Sequence, residues 1–359
     1  MSERFKIYKE VLTTLKKFLN QQKQGHIVTL AMMISGIVMG KKAQLSAMGS
    51  ELPFKQKDSS IVERMRRFVK NDRIEVATYY MPFASLLLES LPKAPLVLAM
   101  DGSQVGRGCM TLMLGVIYKK RTLPLCWIVY KGKKGHTTAE RHIELLELAK
   151  PLIPEDAEVI LLGDGEYDNV EMLEWIEEEK TNWKFVVRTA KNITICTVDK
   201  KMPFEQLDVS KGGQKSVSEI GFTSECYGSL LAIAWWWGEE YEEPIYLISN
   251  LSEAVQACMY YKKRYRIETL FSDQKSRGFH IHKSHLSEPE RISRLLLATC
   301  LSYTWMIYLG QEVIAQNKKA LIDRKNRSDK SLFRLGMDWF KYLFKHGRRI
   351  PVCFNIALT

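Results

Sequence analysis

Apolar residues recur at helical spacing from Phe5 to Leu19, fill Ile27 to Met39 almost without a break, and return to one-sided spacing from Ser60 to Asn71. A stripe of period 3.6 is what a helix packed on one face needs, so this arm predicts three helices, the middle one a buried helix. Ser60, three residues before Glu63, has capping-box spacing and predicts a helix start at Ser59–Ser60. From Leu96 the texture changes. Leu96 to Met100 is a short apolar run ending in Asp101-Gly102, and Cys109 to Tyr118 and Leu123 to Tyr130 are two more strands of a predicted antiparallel meander.

Thr138 to Lys150 then reads as a helix, Glu158 to Gly163 as a buried strand ending in Asp164-Gly165, Asn169 to Lys180 as a helix, and Trp183 to Arg188 as a strand. The order β-β-β-α-β-α-β is that of the ribonuclease-H-like fold, although the pattern alone does not separate it from other α/β sheets. Ser229 to Trp237 and Pro244 to Ser249 look like strands of a β insertion, broken by Lys211-Gly212-Gly213 and a Glu239-Glu240 turn. Leu251 to Arg277 reads as one long charged helix. Helices resume at Pro289, with a basic linker, Arg324-Lys325-Asn326-Arg327. The expected architecture is an α/β ribonuclease-H-like core with a β-strand insertion between N-terminal and C-terminal helical regions. Its divisions are 1–95, a helical DNA-binding region; 96–189, the first part of the core; 190–250, the insertion; 251–288, the glutamate-bearing helix; and 289–359, the C-terminal region.

Charge sharpens this outline. Across 359 residues the net charge is +12, but residues 1–95 and 278–359 each carry +8 while 96–277 carries −4. Basic flanks around an acidic centre suit a protein that holds a polyanion in its arms and collects cations in its middle. Arg64, Arg66, Arg67 and Lys70 load one short helix with positive charge, as in a small DNA-binding helical domain; a solvated bundle face is the plainer reading. The uncharged stretch from Gly25 to Gly40 is shorter than the ~20 apolar residues a spanning helix needs, so no membrane segment and no signal peptide are expected. Seven scattered cysteines without a C-x-x-C pair point to a cytosolic chain with reduced thiols. His280, His282 and His285 cluster without a nearby cysteine, a poor zinc set.

Asp101 and Asp164 each follow an apolar run and precede a glycine, which places two hard carboxylates where sites in open sheets form; an ordinary Asp-Gly turn is the alternative at either one. The third carboxylate is in the charged helix. Tyr261, Arg264, Glu268 and Lys275 fall within an arc of about 60° on one face at ~100° per residue, with Ile267, Leu270 and Phe271 available to bury the helix. An i,i+4 pair between Arg264 and Glu268 on a solvated face is the simpler alternative.

Tyr261-x2-Arg264-x3-Glu268-x6-Lys275 resembles the Y-R-E-K signature of bacterial insertion-sequence DDE transposases at all four positions. Asp101 in Met-Asp-Gly-Ser is similar to that family's first catalytic aspartate and Asp164 in Gly-Asp-Gly-Glu-Tyr to its second, with Glu268 as the glutamate. Phe185 to Arg188 and Ser331 to Gly336 also resemble family segments. Ser103 stands where the family more often has threonine. The resemblance covers roughly Ser60 to Trp339 and implies a DNA transposase that excises an element and transfers its ends into target DNA. A ribonuclease-H-like nuclease without strand transfer and a non-catalytic repressor are the alternatives.

It further implies that Asp101, Asp164 and Glu268 hold Mg²⁺, with Mn²⁺ as a substitute, and that Tyr261, Arg264, Lys275 and Arg188 contact DNA phosphates. The implied partners are terminal inverted repeats, target DNA and a second copy of the chain in a synaptic homodimer, in a bacterial cytoplasm at the nucleoid. Hairpin-forming members use an aromatic residue upstream of the glutamate to receive a flipped base. Trp235, Trp236 and Trp237 lie 31 to 33 residues before Glu268 and alternate in direction along a strand, so Trp235 and Trp237 share one face. Packing of the insertion's core is the plainer use of these indoles.

Overall fold

The Ser2 hydroxyl accepts a hydrogen bond from the Phe5 N–H and caps α1 (Glu3–Phe18), which buries Ile7, Val11 and Leu15 along the expected stripe. This computed structural model describes residues 2–92, 94–133, 135, 137–178, 183–238, 240–324 and 329–357; Glu239 of the expected turn, Glu179 and Lys180, and three residues of the basic linker, Lys325, Asn326 and Arg327, lie outside them. The apolar run becomes α2 (Gln24–Gly40), buried from Thr29 to Val38. A short α3 (Leu45–Ser50) precedes α4 (Asp58–Lys70). The expected cap is displaced, because Lys57 flanks the first turn and Ser59 and Ser60 lie inside α4. Asp58 in that turn complements the helix dipole without a capping hydroxyl.

The sequence pattern hid α5 (Val76–Glu89), which carries Pro82 in its interior. Proline forfeits an interior hydrogen bond, but here Tyr79, Tyr80, Phe83 and Leu87 are buried, and the Tyr80 hydroxyl donates to the Pro124 carbonyl at 2.8 Å.

The sheet begins with β1 (Leu96–Gly106), β2 (Cys109–Tyr118) and β3 (Arg121–Lys131), followed by α6 (Ala139–Ala149), β4 (Val159–Gly163), α7 (Val170–Glu178) and β5 (Trp183–Thr189). Strands β1, β2 and β3 are antiparallel, whereas β4 runs parallel to both β1 and β5. The order β3-β2-β1-β4-β5 is the ribonuclease-H-like arrangement. One boundary differs from expectation. β1 does not end at Asp101-Gly102 but runs to Gly106, because Asp101, Gly102 and Ser103 pair with Met113, Leu112 and Thr111 of β2.

Strands β6 (Thr194–Cys196), β7 (Lys201–Pro203), β8 (Gln214–Phe222), β9 (Tyr227–Trp235) and β10 (Ile245–Ser249) extend the same sheet, since β10 bonds directly to β5 and the order continues β10-β9-β8-β6-β7. Residues 190–250 thus form the second half of one ten-stranded sheet. Cys196 and Cys226 are joined in a disulfide, with Cα atoms 5.5 Å apart, which corrects the expectation of reduced thiols for this pair. Pairing of β6 with β8 brings Cys196 beside the β8–β9 turn that carries Cys226, a closeness across 30 residues that spacing alone does not reveal.

The long charged helix is broken into α8 (Ala254–Tyr261) and α9 (Arg266–Gln274). Lys262, Lys263, Arg264 and Arg266 crowd the break, and like charges at i,i+4 disfavour a continuous helix by a few tenths of a kcal/mol. Hydrogen bonds between residues three apart, such as Ile267 N–H to the Arg264 carbonyl at 3.2 Å, carry the chain through in tighter turns. Ile267, Leu270 and Phe271 are buried as expected, on β1, β2 and β3.

Finally α10 (Pro289–Ala315) and α11 (Leu332–Lys345) complete the helical layer. They cross closely at Gly310 and Gly336, where a Cβ would overlap the facing backbone carbonyl. By length and composition α10 could cross a membrane, but 94% of its apolar window is buried inside the fold. The N-terminal helices are tied to it by the buried Arg294, which donates to the carbonyls of Val69 at 3.1 Å and Ile74 at 3.0 Å and to Asp72 at 3.1 Å.

Candidate active site

Asp101 projects from the middle of β1. Its Oδ1 accepts the Gly102 N–H at 2.7 Å, which leaves Oδ2 to face Arg264 Nη1 at 3.8 Å. Asp164 stands one residue past β4, where Oδ1 accepts the Glu166 N–H at 3.1 Å and Oδ2 lies 3.7 Å from the same Nη1. The two Asp-Gly pairs therefore act differently. That after β4 does open a turn, closed by the Tyr167 N–H on the Asp164 carbonyl at 3.1 Å, while that in β1 is continuous strand. Glu268, in the first turn of α9, accepts a hydrogen bond from Arg264 Nη2 at 2.7 Å. Carboxylates 63 and 104 residues apart in sequence thus meet on one guanidinium.

Arg264 is largely buried, and among the described residues its Nη1 has no hydrogen-bond partner, lying at ion-pair range of the two aspartates. Burial pulls the Arg264 pKa down, but Tyr261, Asp101, Asp164 and the Glu268 hydrogen bond together outweigh it and raise the value. Tyr261, the last residue of α8, is buried beside it. Burial is the main reason that its phenol titrates higher than usual; Arg264 and Arg188 act against that, and Asp164 with it. Lys275 follows α9 and donates to Ser103 Oγ at 2.6 Å, two residues along β1 from Asp101. The Y-R-E-K residues hence lie not on one helix face but at the end of α8, in the break, on α9 and beyond it.

Among the described residues no three acidic, histidine or cysteine side chains are close enough together to hold a metal as they stand. The donor set nevertheless fits a hard divalent ion: three carboxylates, no soft ligand, and a common focus now filled by a cationic guanidinium.

Residues 93–305 match the family described as Transposase DDE domain, more than half of the chain. The chain belongs to that family. This DNA transposase is also similar to the piggyBac transposase in the cryo-EM structure of its synaptic complex with hairpin DNA, at 12% identity and a TM-score of 0.49, covering 96% of this chain and 79% of that one. It is similar as well to a Ciona intestinalis endonuclease V variant in complex with a 23mer DNA containing an inosine followed by a ribo-adenosine, at 15% identity and a TM-score of 0.28, covering 64% and 99%. No curated protein matches it. Members of the family generally use divalent metal ions.

The other expected site residues of the transposase divide into two groups. Trp235 is buried at the end of β9, and Trp237 is half-buried and stacked on it with ring centroids 5.1 Å apart. Lys262, next to Tyr261, lies over both rings at 4.9 and 5.6 Å, so this face adjoins the Y-R-E-K segment. Trp236 turns away and donates from Nε1 to the Tyr241 carbonyl at 2.8 Å. In strand order β9 is three positions from β4, ~14 Å across the sheet. The second group, in the N-terminal arm, stands apart. Arg64 Nε donates to Thr29 Oγ1 at 3.0 Å, Arg66 pairs with Glu63, and Arg67 borders a groove of about 750 Å³ with Lys23, His26 and Asn71.

Sequence reasoning missed the support around Asp164. The Tyr167 phenol is buried without a hydrogen-bond partner among the described residues, and burial, then Asp101, Glu166 and Asp164, push its pKa far up, so it stays neutral. Glu166 accepts the Thr137 N–H at 3.1 Å, and Asp168 accepts from the Thr189 hydroxyl at 2.6 Å while burial raises its pKa. His142, held by Asn169 at 3.0 Å, is pushed down to about 4 by burial and stays neutral. The polar run from Asp164 to Asn169, directly after an apolar strand, was the available signal.

Proposed function

We propose that this transposase hydrolyses the phosphodiester at each end of a mobile element and then uses the freed 3′-OH to attack target DNA, with Asp101, Asp164 and Glu268 as its metal-holding carboxylates. The observation that carries this reading is that all three meet on Arg264. Mg²⁺ suits these oxygen donors and Mn²⁺ can replace it; when bound, such ions offset charge on the attacking, leaving and non-bridging oxygens. Arg264, displaced from the carboxylates, has the planar fork to hold a DNA phosphate, while Lys275 offers a point charge from its seat on Ser103. Tyr261 stays protonated and can donate to a phosphate oxygen. Arg188 reinforces the positive field around Tyr261, and Arg64, Arg66 and Arg67 engage DNA from the N-terminal arm.

The transposase works as a homodimer pairing two terminal repeats, at the nucleoid of a bacterial cytoplasm. Half-buried Trp237, on the buried Trp235, receives a base flipped from the cut end, worth ~1–3 kcal/mol in stacking. Supplied with end DNA and Mg²⁺, the purified protein should cut at the element end and join the 3′ strand to a target plasmid. Cutting without joined product would demote it to a nuclease. Trp237→Ala should leave first-strand nicking intact and slow second-strand release; release at the parent rate would assign the indole to packing alone.

A further inference from the structure

The segment after α9 gathers basic side chains from three parts of the chain. His280, His282, Lys283 and His285 follow one another there; Lys42 comes from the loop after α2, and Arg107 from the turn between β1 and β2. The segment is pinned by the Ala43 N–H on the Phe279 carbonyl at 2.7 Å, Gln44 Nε2 on the Lys283 carbonyl at 2.7 Å, and the Arg107 N–H on the Leu286 carbonyl at 3.2 Å. Arg107 Nη2 also reaches His285 Nδ1 at 3.2 Å. Lys42, Arg107, His282, Lys283 and His285 are exposed.

Among the described residues, no acid acts on the histidines at the centre of this group. The charges that act on His280 come from Lys283 and Lys42, and those on His282 from His280, Lys283 and Lys275; burial first and these cations second hold both rings below the ordinary imidazole range. Glu288, a few residues on, is engaged by Lys131. Like charges held together on a rigid frame without a counter-ion are destabilising in the free protein, and a polyanion relieves the repulsion. Position names the polyanion. Lys275, whose charge acts on His282, bonds to Ser103, two residues from Asp101 on β1, and from Ser103 to Gly106, where β1 ends just before Arg107, the strand advances at most ~10 Å, about three base-pair steps of a duplex.

We propose that Lys42, Arg107 and Lys283, with the histidines between them, form a track for the phosphate backbone of double-stranded DNA that leads away from the carboxylate centre. This rests on the transposase reading above for its orientation, but its test does not depend on cleavage. Binding of a 30-base-pair duplex, followed by fluorescence anisotropy over a salt series, should show the slope of log K against log [salt] reduced by about 2.7 in the triple variant K42Q/R107Q/K283Q, ~0.9 for each lost contact. The charge-matched K184Q/K200Q/K215Q variant, altered at exposed lysines of the sheet's second half and of β5, should keep a slope near that of the parent. Urea midpoints verify that each variant is folded; if the first triple variant does not fold, the single variants K42Q and K283Q, each expected to reduce the slope by ~0.9, take its place. An unchanged slope in the first variant, or an equal reduction in the second, would overturn the track. If the first variant alone loses the slope yet the parent never cuts end DNA, the track stands and the catalytic reading falls.

Discussion

Glu268 at the start of α9 and Asp273 near its end each face an arginine, Arg264 at 2.7 Å and Arg121 at 3.1 Å, but the two pairs are built for different tasks. Arg121 and Asp273 are both buried and ion-paired, joining α9 to β3, with the charge of Arg277 acting on the same carboxyl. Arg264 is shared by three carboxylates, has an Nη1 without a hydrogen bond, and meets a glutamate side chain that is 57% exposed. A saturated pair under cover holds two elements together. An oversubscribed cation with one exposed partner can be exchanged for another cation, which is what a metal site needs.

The widest gap between the two groups should appear in activity. Asp164→Asn should slow end cleavage by at least about 10³-fold, ~4 kcal/mol of barrier, without weakening duplex binding. Cleavage within tenfold of the parent in Mg²⁺ would remove Asp164 from the centre and erase the contrast. Arg121→Met reverses the pattern. Leaving Asp273 buried without its ion-pair partner should lower unfolding free energy by ~3 kcal/mol in urea titrations, while the folded fraction cuts at the parent rate. A loss under about 1 kcal/mol would show that the pair is not structural.

These groups were unequally legible in the sequence. Asp164 could be found because an apolar strand stops beside it, and Ile267, Leu270 and Phe271 because a buried helix face leaves its period in the chain. An arc from Tyr261 to Lys275 requires one unbroken helix; the chain instead breaks between α8 and α9, so these residues come together by a different path. The apolar run that stops at Met100 puts Asp101 at a strand end in the sequence pattern, whereas pairing of Asp101 and Gly102 with Met113 and Leu112 carries β1 past it. The Arg121–Asp273 pair spans 152 residues and leaves no local pattern. The same holds for the Cys196–Cys226 bond and for β6, β7 and β8, short or irregular strands whose identity depends on a neighbour.

The buried pair should also be visible in the pH dependence of stability. Burial raises the Asp273 pKa to about 6 despite Arg121 and Arg277, against an ordinary value of 3.8. Between those values the folded state binds the proton and the unfolded state does not, so this group makes stability fall as pH rises from ~4 to ~6 and has no further effect above. The span corresponds to roughly 3 kcal/mol. Asp273→Asn should remove that slope, which urea midpoints at pH 4.5 and 6.5 would detect; an identical slope in both proteins would mean that the carboxyl does not titrate there.

The smallest expected effect is the most exacting for the comparison. Arg264 and Glu268 form an i,i+4 pair across the helix break, and such pairs with an exposed partner contribute only ~0.3–0.5 kcal/mol. Glu268→Gln keeps the side-chain shape and an amide oxygen that can still accept from Nη2, so unfolding free energy should change by less than about 0.5 kcal/mol while cleavage is abolished. Removing that carboxylate also leaves Arg264 with Asp101 and Asp164 alone, which does not strand a buried charge. If the variant instead loses 2 kcal/mol or more, the contact supports the α8–α9 break as the Arg121 pair supports β3, and the two ends of α9 would differ in exposure but not in kind.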